Sequence, residues 1–404
     1  MTKWFSKERL PATIAIGFVT GLLLGIFIPD IALKIKVVGD IYIQLLKMLI
    51  VPIMFLTVCS GILQLGRFSS VGKMIGKTIF IFVIMFILSS AIALTVAFIM
   101  RPGIGFPLAG ADYNEQLPAL SFSELILSVI PGNPIADMAN GKILPSMIFA
   151  AFFSMATLAL GDIAAPVKNG IEALRAISFK LLDYVMSFSP FGVMSLIAYS
   201  TAQFGPLALG AIGRYIITCY IACIIVFLLI MFLPAITLGK ISAKSYFKAL
   251  TKLWPVTLAT TSSAASLGIA MNVCKKDLEL SEAVCDFVLP LGNTINMLGG
   301  ACSFSCLAIF AADAYGVHLG FDQIVTLIIV ATLINMSAPG IPGGGIILGA
   351  TFLIILGMPM VIMAPIAAVY RLLDMAFTTM NVTGDVTAAI LLNINAPKTE
   401  TDVA

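Results

Sequence analysis

The chain has 404 residues, of which 60% are apolar and 11% are charged, and its mean hydropathy is +1.08. A soluble domain carries about 25% charged residues, so this composition excludes a soluble globular protein and indicates a polytopic membrane protein. The net charge of +3 is small, which argues against the clustered basic face of a nucleic-acid-binding protein.

Six apolar runs occupy the first 240 residues, and each is long enough for a transmembrane helix of about 20 residues. The first run has no clear small-residue cleavage site, so we interpret it as a span rather than a signal peptide. The fourth run is broken by the turn Pro131-Gly-Asn-Pro134. The runs cover residues 11–30, 38–66, 75–100, 120–160, 172–201 and 208–238.

Basic residues collect in segments that are separated by an even number of the predicted crossings. The positive-inside rule places such segments, and with them both termini, in the cytoplasm. This pattern predicts a multi-pass protein of the plasma membrane, the cell inner membrane. The basic segments hold Lys3, Lys7 and Arg9; Arg67, Lys73 and Lys77; Lys168; Lys240, Lys244, Lys248 and Lys252; Lys275 and Lys276; and Lys398.

Two later segments, 258–268 and 337–345, are too rich in Pro, Gly and Ser to cross simply, although each has apolar arms on both sides. Irregular backbone at membrane depth is tolerated only where it is buried in protein or lines a wet cavity. The pattern therefore favours two re-entrant hairpins, and two kinked spans are the alternative. Their places before and after a seventh crossing, near 280–310, are typical of an inverted-repeat transporter. The predicted fold is all-α, with eight transmembrane helices and two re-entrant hairpins.

The seventh crossing contains Gly292-Asn-Thr-Ile-Asn-Met-Leu-Gly-Gly300, which concentrates amide, hydroxyl and glycine in an apolar setting. An unwound helix here would free carbonyl oxygens, which are hard ligands suited to a small cation. Asn296 would add a side-chain oxygen and Asp385 of the last helix a charge, so the segment predicts a sodium site. The alternative is a Gly/Asn stretch that serves helix packing.

The last apolar run carries a polar stripe. It holds all three charged residues that lie between positions 323 and 397, and a charge within the bilayer usually marks a substrate or ion site. At 100° per residue, one helix face collects Arg371, Asp374, Thr378, Asn381 and Asp385.

Asp374 lies about three helical turns from the acid of the sodium site, too far to share one ion, and would balance a substrate ammonium. Asn381 and the backbone amides of the hairpin tips, at 262–263 and 343–345, can donate to a carboxylate. An acid beside an anion pocket predicts recognition of an α-amino acid. The alternative is an ion pair between Arg371 and Asp374 that serves structure only.

Signatures of enzymes are scarce. The one histidine is His318, there is no H-E-x-x-H or G-x-S-x-G motif, and Gly76-Lys77-Thr78 lacks the P-loop glycine because position 71 is Val. The seven cysteines have no metal-ligand spacing and are predicted to be small core residues. The sequence therefore predicts a secondary transporter rather than an enzyme or an ATP-driven pump.

Nearly the whole chain resembles the dicarboxylate/amino acid:cation symporter family, which includes the glutamate transporters and neutral amino acid exchangers. The order and spacing of the matching segments are highly specific. These segments are Leu46-Lys-Met-Leu-Ile-Val-Pro-Ile-Met-Phe55, Ser189-Pro-Phe-Gly192, Thr261-Ser-Ser-Ala-Ala-Ser266, Asn296-Met297, Gly340-Ile-Pro-Gly-Gly-Gly345, and Asp374 through Asn381-Val-Thr-Gly-Asp385.

The resemblance implies a homotrimer in membrane lipid that works by an elevator mechanism. Crossings 1, 2, 4 and 5 would form a scaffold from residues 1–74 and 103–203. Crossings 3, 6, 7 and 8, with both hairpins, would form a mobile transport domain from residues 75–102 and 204–404. Both domains would be discontinuous in sequence.

The resemblance also assigns site residues. Asp374 would hold the substrate amino group and Asn381 its α-carboxylate. The other substrate-binding residues implied are Thr378, Ser262, Ser263, Gly340 and Gly343. One sodium site would use Gly292, Asn296, Asn381 and Asp385, and a second the carbonyl groups of Thr294, Met297, Asn335, Met336 and Ala338.

Two positions depart from the acidic-substrate members, which have an arginine in place of Phe377 and a threonine in place of Gly300. Without such partners a buried carboxylate is strongly disfavoured. These residues predict a sodium-coupled symporter for a neutral α-amino acid, whose side chain packs on Phe377 in the room left by Gly300. The alternative is an acidic amino acid or C4-dicarboxylate whose side-chain carboxylate is bound by Arg371.

A further departure is Leu298, where the family usually has an aspartate that supports a third sodium site. Ser89 and Ser90 keep the hydroxyl groups that the third crossing contributes to that site. The loss of the acid predicts weak or absent occupancy and fewer sodium ions per substrate, unless a proton or another cation compensates.

Overall fold

The computed structural model describes residues 10–65, 72–106, 130–336, 344–358 and 362–394. These residues form helices joined by short turns, and none of them lies in a β-strand, so the predicted all-α architecture is confirmed for this part of the chain. In chain order the helices are α1 (Leu10–Phe27), α2 (Pro29–Lys34), α3 (Lys36–Leu65), α4 (Gly72–Met100), α5 (Pro134–Ala139), α6 (Ile143–Ala159), α7 (Ala165–Ser187), α8 (Ser189–Val226), α9 (Leu233–Thr237), α10 (Ala243–Thr260), α11 (Ser263–Asn272), α12 (Glu282–Ile295), α13 (Leu298–Tyr315), α14 (Phe321–Asn335), α15 (Gly344–Ile355) and α16 (Met363–Asn393).

Within these ranges, five helical segments are long and apolar enough to cross a bilayer. They are Pro29–Leu63, Gly76–Met100, Gly210–Thr237, Glu282–Tyr315 and Pro365–Asn393. The chain is therefore a multi-pass membrane protein, while the count of eight crossings stays a prediction.

The helix expected over residues 172–201 is a bent pair of helices rather than one straight helix. The segments Gly161–Ser187 and Ser189–Gln203 meet at 51° and would together make a sixth crossing. Proline stands in the first turn of α8, at position 190, where it starts a new helix because its ring blocks continuation of the preceding one.

The fourth apolar run is interrupted twice in its described part. The predicted turn at 131–134 is present, and Asn133 caps α5 by accepting a hydrogen bond from the amide of Ala136 over 3.1 Å. The chain turns again at Gly141, whose φ is +70°. Residues 120–129 of this run lie outside the described ranges.

Close helix packing fixes α1 on the first part of α8. A Cβ atom at Gly17 or Gly21 would lie 2.4 Å or 2.3 Å from a backbone carbonyl oxygen of α8. The spacing of four residues puts these glycines on one face, which lets the two backbones approach closely. The helix α8 then breaks at Gly205, whose φ is 69° and ψ −169°, between the two apolar runs that the sequence separates.

Two helix pairs correspond to the predicted hairpins. The pair α10 and α11 is joined by a two-residue turn, in which Thr261 is left-handed with φ 47° and Ser262 is extended. The pair α14 and α15 also packs together, and its tip at residues 337–343 lies outside the described ranges. The depth of either pair in a membrane stays a prediction.

The helices α13 and α16 lie at the centre of the helix packing in this chain. The helix α16 packs against α4, α8, α10, α11, α12, α13 and α15. It runs unbroken from Met363 to Asn393, so the predicted polar stripe lies on one helix. The helices α12 and α13 are separated only by the non-helical residues Asn296 and Met297, which face this centre.

Candidate functional site

The junction of α12 and α13 is a local unwinding of the backbone. Asn296 has φ −105° and ψ 71°, and Met297 has φ −93° and ψ 63°. The amide of Gly299 donates to Asn381 Oδ1 of α16 over 2.7 Å, not to the carbonyl group four residues earlier. The carbonyl oxygen of Gly292 still accepts from the amide of Asn296 over 2.7 Å. The carbonyl oxygens that follow it in α12 lose their helical donors. The predicted unwinding of this helix is confirmed.

Asp385 lies against this break. Its Oδ1 accepts a hydrogen bond from Asn296 Nδ2 over 2.8 Å, and the residue is 3% exposed. A Cβ at Gly292 would lie 2.3 Å from the same Oδ1, so the missing side chain makes room for the carboxylate. The oxygen of the same amide, Asn296 Oδ1, is buried and has no hydrogen-bond partner in the part of the chain that the structure describes. A buried carboxylate beside neutral oxygens is suited to a cation, and sodium binding here stays a prediction.

Asn381 uses both ends of its side-chain amide within the protein. Its Oδ1 holds the amide of Gly299, and its Nδ2 faces Met297 Sδ at 3.2 Å. A thioether is a weak acceptor, so a carboxylate oxygen would be a stronger partner for Nδ2. The predicted carboxylate-binding role is therefore compatible with one end of the amide, while the other end holds the helix break.

The residues predicted for a second sodium site lie at two helix ends. Thr294 and Met297 are at the α12–α13 break, and Asn335 and Met336 are at the end of α14. The side chain of Thr294 donates to the carbonyl group of Pro290 over 3.0 Å. Three further predicted residues, Ala338, Gly340 and Gly343, lie outside the described ranges.

At the predicted third sodium site, Leu298 packs between helices instead of supplying a cation ligand. Leu298 is fully buried, and its Cδ1 would lie 2.3 Å from a Cβ at Gly384 of α16. Ser89 and Ser90 are fully buried as well, and their hydroxyl oxygens have no hydrogen-bond partner within the described ranges. An apolar side chain thus packs where the resemblance implies an acid.

The tip of the first hairpin meets α16. Ser262 caps α11 by accepting a hydrogen bond from the amide of Ala265 over 3.3 Å, and the buried Ser263 begins that helix. The first amides of a helix have no intrahelical acceptor and attract anions. The guanidinium of Arg371 donates to Thr261 Oγ1 in this tip. A positive charge and a helix N-terminus therefore lie together, one turn of α16 from Asp374.

The remaining substrate residues predicted on α16 are buried. Asp374 is 6%, Phe377 2% and Thr378 3% exposed. The ring of Phe377 lies 6.1 Å from that of Tyr370, and a Cβ at Gly299 would lie 2.4 Å from its Cα. The Phe377 ring therefore packs against Tyr370, and its backbone packs closely against Gly299.

The room expected beside Gly300 is already filled. A Cβ at this position would lie 1.6 Å from Asn335 Oδ1 and 2.7 Å from Asn335 Cγ. A substrate side chain in that space stays a prediction, and it would require the side-chain amide of Asn335 to move.

Hydroxyl groups link the first hairpin to α16 in a ladder that the sequence analysis missed. On α16, Thr379, Thr383 and Thr387 recur every four residues and so share one face. This four-residue spacing is visible in the sequence and could have predicted a hydroxyl-bearing face on α16. The three bonds, side chain to side chain, are Tyr246 to Thr387 at 2.8 Å, Trp254 to Thr383 at 3.0 Å and Thr257 to Thr379 at 2.8 Å.

Comparison with known families agrees with this geometry. The model of the sodium:dicarboxylate symporter family matches residues 10–394. The chain belongs to this family. Because the members of the sodium:dicarboxylate symporter family are transporters, the prediction of a transporter rather than an enzyme is confirmed, as is the resemblance found in the sequence.

Three relatives within the sodium:dicarboxylate symporter family cover nearly the whole chain. The proton/glutamate-aspartate symporter of Bacillus subtilis (strain 168) is 30% identical over 96% of this chain and 95% of its own length. The proton/sodium-glutamate symport protein of Geobacillus stearothermophilus is 27% identical over 96% and 94%. The C4-dicarboxylate transport protein of Geobacter sp. (strain M21) is 30% identical over 100% and 92%.

Proposed function

We propose that this protein is a cation-coupled symporter for an acidic amino acid or a C4-dicarboxylate, and that Arg371 binds the side-chain carboxylate. The observation that carries the proposal is the position of Arg371. Its guanidinium reaches the tip of the first hairpin, where it donates to Thr261 Oγ1 beside the N-terminus of α11. The names of the three relatives, which state glutamate, aspartate or C4-dicarboxylate, support the same substrate class.

The chemistry of this position suits a carboxylate. A guanidinium offers a planar fork of donors that matches the two oxygens of a carboxylate, and it stays charged when partly buried. The orphan amides of α11 add donors at the same hairpin tip. Such a cluster binds a carboxylate better than an uncharged side chain, because the guanidinium and the amides are all hydrogen-bond donors and the guanidinium adds a positive charge.

The neutral amino acid predicted from Phe377 and Gly300 is less well supported. Phe377 is 2% exposed and packs on Tyr370, and the space beside Gly300 holds the amide of Asn335. An apolar substrate side chain would have to displace the amide of Asn335 to reach the space beside Gly300. None of the three relatives is named for a neutral amino acid.

The other site roles form part of this proposal. Asp374 would bind the amino group of an amino acid substrate, and Nδ2 of Asn381 its α-carboxylate. Thr378, Ser262 and Ser263 would add polar contacts, and the second hairpin, with Gly340 and Gly343, would close over the site. Sodium is the proposed coupling cation, with Asp385 as its charged ligand, and a proton is the alternative.

We extend the proposal to the membrane arrangement. Eight crossings and two re-entrant hairpins would divide into a scaffold and a transport domain at residues 74/75, 102/103 and 203/204. The break at Gly205 and the tight packing of α1 on the first part of α8 support the boundary at 203/204. A homotrimer with elevator movement and cytoplasmic termini completes this arrangement.

Uptake into proteoliposomes tests the function. The purified protein is reconstituted, and uptake of labelled L-aspartate, L-glutamate, succinate and L-alanine is measured with a sodium gradient, with a proton gradient and without either. We expect uptake of at least one acidic compound that depends on a cation gradient. Gradient-driven uptake of alanine without any acidic compound would refute the proposed substrate class and favour the neutral alternative.

A further inference from the structure

The side-chain amide of Asn335 has one orientation. Its Nδ2 donates to the carbonyl group of Ala331 in the same helix over 2.7 Å. Turning the amide around would bring two carbonyl-type oxygens together, so Oδ1 faces Gly300. The residue is 1% exposed, and Oδ1 has no hydrogen-bond partner among the described residues. Buried polar groups are nearly always satisfied, and this oxygen therefore points to a ligand.

The chemistry of Oδ1 narrows the kind of ligand. An amide oxygen only accepts, so it binds a hydrogen-bond donor or a cation, and it repels the carboxylate of the proposed substrate. The neighbourhood supplies more oxygens of the same kind. Gly300 lies four residues after the unwound Asn296, whose Oδ1 also lacks a partner, and the break frees carbonyl groups of α12. Neutral oxygens from an unwound helix are suited to sodium.

We propose that Asn335 Oδ1 is a side-chain ligand of a co-transported sodium ion at the predicted second site, and that residue 300 is glycine because this ligand must reach the α12–α13 break. The inference rests on the proposed cation-coupled transport and deepens it. It moves Gly300 from substrate selectivity to cation binding. The sequence analysis assigned sodium binding to the backbone carbonyl group of Asn335, and the proposal adds its side-chain oxygen.

Sodium-dependent thermal stability of the purified full-length protein tests this. Unfolding temperature is measured against sodium concentration at constant ionic strength, with choline as the replacement ion, in the presence and absence of L-aspartate and succinate. The variants Asn335→Leu and Asn335→Ala remove the oxygen, and Gly300→Ala displaces it. Asn169→Leu, at an exposed position of α7, is the matched control.

We expect each of the three variants at 335 and 300 to raise the sodium concentration for half-maximal stabilisation by about tenfold or more, since stabilisation follows ligand affinity. Asn169→Leu should keep the wild-type value. If Asn335→Leu fails to fold, Asn335→Ala, which only removes atoms, decides the question.

A wild-type sodium midpoint in a folded Asn335 variant overturns the inference. Stabilisation of the wild-type protein by substrate but not by sodium would also overturn the inference. That result would remain compatible with proton-coupled transport. An absence of any stabilisation by L-aspartate or succinate in the wild-type protein would count against the proposed substrate class instead. The two failures are therefore distinguishable.

Discussion

Asp385 and Asn296 are joined by a hydrogen bond of 2.8 Å between Oδ1 and Nδ2, and this bond ties the last helix to the break between α12 and α13. Both residues are buried, at 3% and 0% exposure. Among the described residues, no Lys or Arg side chain forms an ion pair with Asp385. A bound cation would compensate this charge, and the coupling ion is the natural candidate.

Asp385→Asn is predicted to abolish cation coupling while preserving the fold. The variant keeps the size of the side chain and an oxygen for Asn296, but it removes the charge that attracts the cation. We expect substrate uptake driven by the cation gradient to fall by about a hundredfold or more, the loss typical when a buried charge partner is removed.

The control for this variant is Asp162→Asn, at an exposed acid of the 3-10 segment before α7. It should transport like the wild-type protein. Normal gradient-driven uptake by a folded Asp385→Asn protein would show that this carboxylate is not part of the cation site.

Gly292→Ala is predicted to destabilise the protein and to disturb the same carboxylate. The added Cβ would lie 2.3 Å from Asp385 Oδ1 and 3.2 Å from Phe82 Cζ, so the carboxylate must move away from its position or the helices must separate. Overpacking of this kind costs about 1–3 kcal/mol. Thermal unfolding in detergent should show a lower midpoint for this variant than for the wild type.

Gly268→Ala in α11 makes the same chemical change where a Cβ would meet no atom within 4 Å. Alanine is favoured over glycine within a helix by about 0.5–1 kcal/mol. This variant should therefore unfold at the wild-type temperature or above it. Equal midpoints for the variants at 292 and 268 would contradict the close contact with Asp385.

The hydroxyl ladder is predicted to contribute measurably to the attachment of the first hairpin. In a double-mutant cycle, Trp254→Phe and Thr383→Val remove the two partners of the 3.0 Å bond from Trp254 Nε1 to Thr383 Oγ1. A neutral hydrogen bond of this kind contributes about 0.5–1.5 kcal/mol. Denaturant or thermal unfolding of the four proteins measures the coupling energy.

A matched cycle uses Trp254→Phe with Thr95→Val, because the described hydrogen bond of the Thr95 hydroxyl stays within its own helix, α4. That pair should be additive. A coupling energy near zero for Trp254 and Thr383 would mean that the bond does not contribute to stability.

Features that depend on local sequence could be predicted. The stripe from Arg371 to Asp385 follows from helical periodicity, and the unwinding at 296–297 follows from a cluster of polar and small residues inside an apolar helix. The turn at 261–262 was similarly visible as a serine-rich interruption. In each case the signal lies within a few turns of one segment.

Features that depend on contacts between distant segments could not be predicted. Asn335 enters the space at Gly300 because α14 packs on α13, and no pattern within either helix states this pairing. The bond from Arg371 to Thr261 joins residues 110 positions apart, so the sequence left the use of this arginine open. The substrate prediction followed Phe377, an uncharged residue whose contacts proved to be internal.

The central claim is that Arg371 binds the side-chain carboxylate of the substrate. Its most direct test is cation-driven uptake of labelled L-aspartate, succinate and L-alanine by Arg371→Met in proteoliposomes. Arg175→Met, which removes an arginine paired with Glu172 on α7, is the control. We expect Arg371→Met to lose uptake of the acidic compounds by about a hundredfold, since the carboxylate would be buried without its partner, while Arg175→Met keeps it. Uptake of aspartate or succinate by a folded Arg371→Met protein at the wild-type rate would contradict the claim.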